Sequence, residues 1–366
     1  MAEKNPHPGK ARKEVSVNFR MMVLMWLLCW GTIPIRAQSV PSPALLVLSK
    51  RDQNLAIVDP ATLQVVTTLP AGPDPHEVVA STDGKVAFIS NYGGGAYNTI
   101  SVVDLIGQKP LPAVDLGALR GPHGLAFAEG EVYFTAEVNK VIGRYDPVTR
   151  KIDWVLGTGQ NRTHMIVVSN TLDHIFTSNV NSGTISIIEN ARPSGGSPGP
   201  PPPGPGGTPR GAGSRPDWDE TVVETGPGTE GFDVSPDGKE LWSAAAEDGT
   251  ISVIDLAAKK RVQTLQANVQ GANRLKFTTD GKLVFVSSLS GGGGLAVFDA
   301  SSRREVKRLN VGHGAAGILM QPDGMRAYVA CSPDNYVVVI DTRTLEVTGR
   351  INAGHQPDGL AWAVRP

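Results

Sequence analysis

Residues 75–116, PHEVVASTDGKVAFISNYGGGAYNTISVVDLIGQKPLPAVDL, contain four short strand-like runs: PHEVVAS, VAFISN, TISVVDL and PAVDL. The first pair is joined by Thr82-Asp83-Gly84-Lys85, where Asp-Gly supplies the positive φ that a tight hairpin needs. The turn returns as SPDGK at Asp237, TDGK at Asp280 and QPDGM at Asp323. The acid that ends the third run returns more regularly still, at Asp59, Asp104, Asp146, Glu189, Asp255, Asp299 and Asp341. The intervals are 45, 42, 43, 66, 44 and 42 residues. Such a period means a supersecondary unit that buries its apolar faces only against its neighbours.

The single long interval contains residues 193–216, PSGGSPGPPPPGPGGTPRGAGSRP, in which 17 of 24 positions are Gly or Pro. These residues combine high chain entropy with missing backbone donors and few side chains to bury, so a disordered, solvated insert inside the fourth unit is expected. Four strands at this period describe a propeller blade. The first unit begins near Leu45 with what reads as its second strand, LLVLS. The chain ends on Pro357-Asp358-Gly359-Leu360-Ala361-Trp362, which matches Pro122-His123-Gly124-Leu125-Ala126-Phe127 and has no partner strands after it. The expected fold is therefore all-β: a seven-bladed β-propeller over residues 45–366, with four-stranded blades and a closing blade split between the N- and C-terminal strands. Closure removes the edges that invite aggregation.

Blocks such as GKVAFISN, GTISVIDLAAKKRVQTL, GFDVSPDGK and MRAYVACSPDNYVVVIDTRTLEVTGRINAG resemble the YVTN β-propeller repeat family, and the likeness covers about residues 45–366 apart from the insert. The name-giving motif is present only as FISN, FTAE, FTSN and YVAC, and the third unit shortens its first turn to Ala128-Glu129-Gly130. The resemblance implies an exported bacterial or archaeal surface propeller. Related propellers include lactonases, a lyase, and copper or quinone enzymes, so it selects no single activity.

The 366 residues carry 34 Lys+Arg against 35 Asp+Glu, and the 42 Gly and 28 Pro interrupt the chain too often for a helical protein. Lys4, Lys10, Arg12, Lys13 and Arg20 precede the uncharged run MMVLMWLLCWGTIPI, residues 21–35. This is the layout of a cleaved secretory signal over residues 1–37, followed by a linker at 38–44. The run is shorter than the roughly 20 residues that cross a bilayer, so no stable membrane span is expected after cleavage. A periplasmic, secreted or cell-surface location follows. Removal of residues 1–37 leaves 28 basic and 33 acidic residues, a charge of −5 that disfavours nucleic acid. Cys331 remains as the lone mature cysteine, so no intrachain disulfide is possible, and a monomer is expected.

Residues that enter each innermost strand face the mouth of the shared channel. They are His76, His123, His164, Glu230, Asn273, Ala316 and Asp358. Three histidines followed by a glutamate suit either a divalent metal, held by His76, His123 and His164, or general acid–base chemistry with Glu230 as base. A wet rim that tolerates any polar residue explains the same pattern. Asn91, Glu137 and Asn179, at the ends of second strands, form a second tier of candidates; Asn there also commonly bonds its own backbone. Arg274 reads as the one cation near the ring, either solvated at the rim or binding an anion. No GxSxG, HExxH, CxxC or Walker pattern is present. Two functions remain open: a scaffold that binds a small molecule or protein on its channel face, and a metal-assisted hydrolase or lyase at the channel mouth.

Overall fold

The computed structural model describes residues 39–191, 217–290 and 294–365. The expected export signal and the insert at 193–216 lie outside the described residues. What is described forms seven four-stranded antiparallel sheets, each one blade. In blade 2 the strands run, from the channel outward, Pro75–Ala80, Val86–Asn91, Thr99–Asp104 and Lys109–Asp115. The innermost strands of blades 3 to 7 are Pro122–Ala128, Thr163–Val168, Thr229–Val234, Ala272–Phe277 and Ala315–Met320.

Blade 1 is assembled from both ends of the chain. Its inner strand Pro357–Ala363 pairs with Ala44–Ser49, and Asn54–Asp59 and Gln64–Pro70 complete it. The register sets Leu45 opposite Trp362, Leu46 opposite Ala361 and Val47 opposite Leu360. Every residue of Ala44–Ser49 is fully buried. Trp362 donates to the Met320 carbonyl at 3.0 Å and packs edge-on against Tyr328 of blade 7. The closing strand therefore also locks the neighbouring blade.

Second and third strands are buried on both faces, as in Val86–Asn91, because each sheet lies between two others. Outermost strands such as Lys260–Leu265 are mostly exposed and charged, which blunts their edges. Apolar clusters fill the gaps between blades; one joins Leu46, Leu48 and Ile57 of blade 1 to Val78, Ile89 and Val103 of blade 2. In the first hairpin of blade 2, Gly84 has φ 64°, and the Asp83 carboxylate accepts from Ser81 Oγ at 2.7 Å and from the Lys85 amide at 3.1 Å. These hydrogen bonds bring the Asp83 pKa down to about 2.

The periodic acids close the other hairpin. Asp59, Asp104, Asp146, Asp255, Asp299 and Asp341 each accept a backbone N–H two or three residues on. Glu189, whose extra methylene misplaces the carboxylate for such a turn, instead bonds His174 and Lys259. There the hairpin lengthens: Ala191 pairs with Asp217, so the insert leaves blade 4 between its third and fourth strands. Antiparallel order puts these hairpins on the face opposite the ring of inner-strand starts.

Because Leu46 is buried at the ring closure, Leu46→Ala should cost about 2–5 kcal/mol in chemical denaturation. Val262→Ala, on an exposed outer strand, should stay within about 0.5 kcal/mol.

Candidate functional site

The inner strand of each blade begins at the channel, and its second residue projects into the space all seven share. Close approach around that space depends on the following position: a Cβ on Gly124 would lie 2.5 Å from the His164 carbonyl oxygen, and one on Gly231 within 2.7 Å of Arg274 Cα. Second-strand hydroxyls tie the blades together. Ser90 Oγ donates to the His123 carbonyl at 2.8 Å, Thr135 Oγ1 to the His164 carbonyl and Ser287 Oγ to the Ala316 carbonyl, both at 2.7 Å.

The three histidines meet as a row. His76 Nδ1 lies 3.2 Å from His123 Nε2, and the His123 and His164 rings are 3.7 Å apart between centroids. Tyr92 stands edge-on to both His76 and His123 at 5.0 Å. At one end, His76 Nε2 is 3.2 Å from Asp74 Oδ1, and its Nδ1 is 3.6 Å from Asp358 Oδ2. At the other end, His164 is held by Glu137 through Nδ1 and by Glu230 through Nε2, the latter at 3.2 Å. Glu230 also accepts from Asn273 Nδ2 at 2.6 Å. Ala316 lies in the same ring, buried and without a polar side chain.

Three findings depart from the sequence expectations. Arg274 is buried, not solvated at a rim: its guanidinium pairs with Glu230 at 3.3 Å and with Glu77 of blade 2, which it meets across the channel. It is not the one cation near the ring, since Lys50 pairs with Asp358 at 2.9 Å and Arg162 with Glu137 at 3.5 Å. The second tier also divides. Glu137 joins the site, accepting from Tyr92 Oη at 2.6 Å, whereas Asn91 and Asn179 spend their amides elsewhere. Asn91 bonds Ala71, Thr99 and Ser101; Asn179 bonds Thr177, Thr184 and Ser186 of its own blade.

A metal does not fit the three histidines. The His123 and His164 rings lie against each other, tilted by 32°, His164 has both nitrogens turned to carboxylates, and His76 and His123 are turned to each other. Among the described residues no group of three or more His, Cys, Asp or Glu is arranged to hold a metal ion.

Proximity splits the titrations. Burial, reinforced by the neighbouring His164 and His76, pushes the His123 pKa well below its usual value. Burial opposes charge on His164 too, but Glu230 and Glu137 more than offset it and raise that pKa. Glu230 resists its own burial through His164 and Arg274 and falls to about 2. Burial and the Glu137 hydrogen bond lift Tyr92 to about 12, so it remains a donor. His123 Nδ1 is buried with no hydrogen-bond partner among the described residues.

Asp74, Glu77, Tyr92, Lys50 and Arg162 escaped the sequence reading. Glu77 had a visible signal, since it occupies the repeat position that is Gly124, Gly231, Gly317 and Gly359 in other blades. The other four share repeat positions too: Lys50 and Tyr92 each follow the last residue of a second strand, as Glu137 does in blade 3, and Asp74 and Arg162 each stand two residues before a ring histidine.

No protein-family model matches the sequence, and no curated protein matches it. Solved structures do share its architecture. A protein of unknown function from Desulfotomaculum acetoxidans is 12% identical, with a TM-score of 0.67 over 89% of this chain and 100% of that one. A candidate 6-phosphogluconolactonase from Bacteroides uniformis is 17% identical, with a TM-score of 0.68 over 88% and 99%. A second such candidate, from Bacteroides fragilis, is 16% identical, with a TM-score of 0.65 over 90% and 99%. At these identities the likeness establishes the seven-bladed propeller fold and nothing finer.

The two histidine shifts act with opposite signs. His164, raised, stabilises the fold below its unfolded value near 6.5, and this is lost as pH climbs through the folded value. His123, lowered, makes the unfolded chain bind the extra proton, so stability falls as pH drops below 6.5. His123→Gln should therefore flatten the stability loss between pH 6.5 and about 5, measured by denaturant titration. Followed through a pH titration, ¹⁵N chemical shifts should show His164 keeping its second proton to higher pH than His123.

Proposed function

We propose that this chain is an exported β-propeller of the YVTN repeat kind that acts as a non-catalytic scaffold, binding a small polar ligand on its channel face. One observation carries the reading. Charged and polar side chains from blades 1 to 6 converge on one space, yet nearly all are already engaged: His164 between Glu137 and Glu230, Arg274 between Glu230 and Glu77, and Asp358 on Lys50. Such a lining offers many directed hydrogen bonds for recognition. It supplies no activated nucleophile, and the lone thiol, Cys331, is buried with its pKa pushed up by burial to about 12. The partly exposed groups at the mouth, His76, Asp74, Lys50 and Arg162, are the first a ligand would touch. A mature charge of −5 argues against nucleic acid as partner, and the basic, then apolar, residues 1–37 support export to the periplasm or cell surface. We take the working form to be a monomer.

A second reading, a lactonase-like hydrolase, is favoured by one observation: adjacent His123 and His164 have their pKa values pushed apart, as acid and base partners do. Two structural neighbours are candidate 6-phosphogluconolactonases, which makes lactones the substrates to try first. Without metal geometry, that chemistry would rest on the imidazoles and Glu230 alone.

Thermal-shift screening of the mature protein with sugars, sugar acids and lactones should find a ligand whose shift disappears in His76→Ala, with no turnover and no stoichiometric metal in the purified protein. Lactone hydrolysis abolished by His123→Gln would replace the scaffold reading with the enzyme.

A further inference from the structure

The residues that follow the seven ring positions are Glu77, Gly124, Met165, Gly231, Arg274, Gly317 and Gly359. At each of the four glycines an added Cβ would meet the neighbouring blade within 3.0 Å. The repeat thus prefers glycine where inner strands converge, and two of its three departures are charged residues that find each other. Arg274 starts from blade 6 and Glu77 from blade 2, three blades apart in a ring of seven, so their ion pair spans the channel. A local rule broken twice for one contact across a cavity marks a functional position more than a structural one.

The two carboxylates on Arg274 are not equivalent. Glu230 is also bound by His164 Nε2 and Asn273 Nδ2. The Glu77 carboxylate is held, among the described residues, by Arg274 alone, and its side chain keeps 15% of its surface open to the channel. The guanidinium between them is 7% exposed, cannot deprotonate, and presents a planar fork suited to a carboxylate. A buried guanidinium that loses one partner demands another anion.

Building on the channel-face binding reading, we propose that Arg274 is the carboxylate-recognition centre of that face and that Glu77 is its built-in competitor. A ligand carboxylate entering from the side of the ring takes the place of Glu77 on the guanidinium, while Glu230 stays fixed. The class of ligand is thereby narrowed to small organic carboxylates, sugar acids included. No bond is made or broken in the exchange.

The test uses sodium acetate against sodium chloride at matched ionic strength on the mature protein. Glu77→Ala should unfold at lower temperature than wild type and be rescued saturably by acetate but not by chloride. Wild type should bind acetate about tenfold more weakly or worse, because its own carboxylate competes at high effective concentration. Glu77→Ala/Arg274→Met should show no acetate-specific response. Glu77→Gln, which keeps the side-chain shape, serves the same titration if the alanine variant does not fold, with acetate binding read by NMR shift changes at Arg274. Equal effects of acetate and chloride on the Glu77 variants, or an acetate response that survives loss of Arg274, would overturn the assignment. Either result leaves open binding of an uncharged ligand at His76, so this proposal can fail while the scaffold reading stands.

Discussion

The pairing of Ala44–Ser49 with Pro357–Ala363 is the constraint on which the rest of the molecule depends. A blade can bury both faces only if it has a neighbour on each side, and an arc of seven would leave two faces and an inner edge in water. Hydrogen bonds between the ends of the chain remove both defects. They also fix the geometry of the channel, because Asp358 enters the ring from the closing strand and reaches Lys50 from the first hairpin of the chain. Functional and topological closure therefore use the same few residues.

Short-range chemistry specifies the repeat at two hairpins, the first in blades 2, 5, 6 and 7 and the second in every blade but blade 4. Asp-Gly shapes the hairpin between first and second strands, and an aspartate two or three residues ahead of its amide partner shapes that between third and fourth. Each device is local and needs no neighbouring blade; blade 1, whose inner strand is the last of the chain, completes its register only when the ring closes. Glu189 shows the rule by breaking it. The longer side chain bonds His174 of the adjacent second strand and Lys259 of blade 5, and this is the hairpin that carries the insert.

Much of this was legible in one dimension. Turn chemistry and a fixed period gave the number of blades, the split closing blade and the seven ring positions, because all three follow from spacing. What spacing cannot convey is which side chains meet across the hole. Asn91, Glu137 and Asn179 look equivalent in the repeat, but the register sets Asn91 opposite Pro75, Ala136 opposite Pro122 and Asn179 opposite Thr163, so Glu137 lies one residue beyond the position the two asparagines hold, where they bond Thr99 and Ser101 or Thr184 and Ser186. Glu137 has Tyr92 and His164 nearby and turns inward to them. Arg274 hides its partner for a related reason: a cation beside a channel mouth suggests solvent or a bound anion until a carboxylate from the far wall is known to meet it.

The charge pattern of the channel follows from a shortage of compensating partners. Seven inner strands bring more ionisable groups together than a low-dielectric space allows to be charged at once. Glu230 and Glu137 serve His164, Glu230 and Glu77 serve Arg274, and Asp358 serves Lys50. His123, packed against one imidazole and facing another, has no carboxylate of its own among the described residues, and charging it would place a cation beside His164 and near Arg274. Burial disfavours charge on His123 first, and the neighbouring His164 adds to it. The two imidazoles are coupled through their contact, so a change at one end of the row reaches the other: moving Glu230 off His164 would weaken the hold on its proton and relieve His123 in the same step.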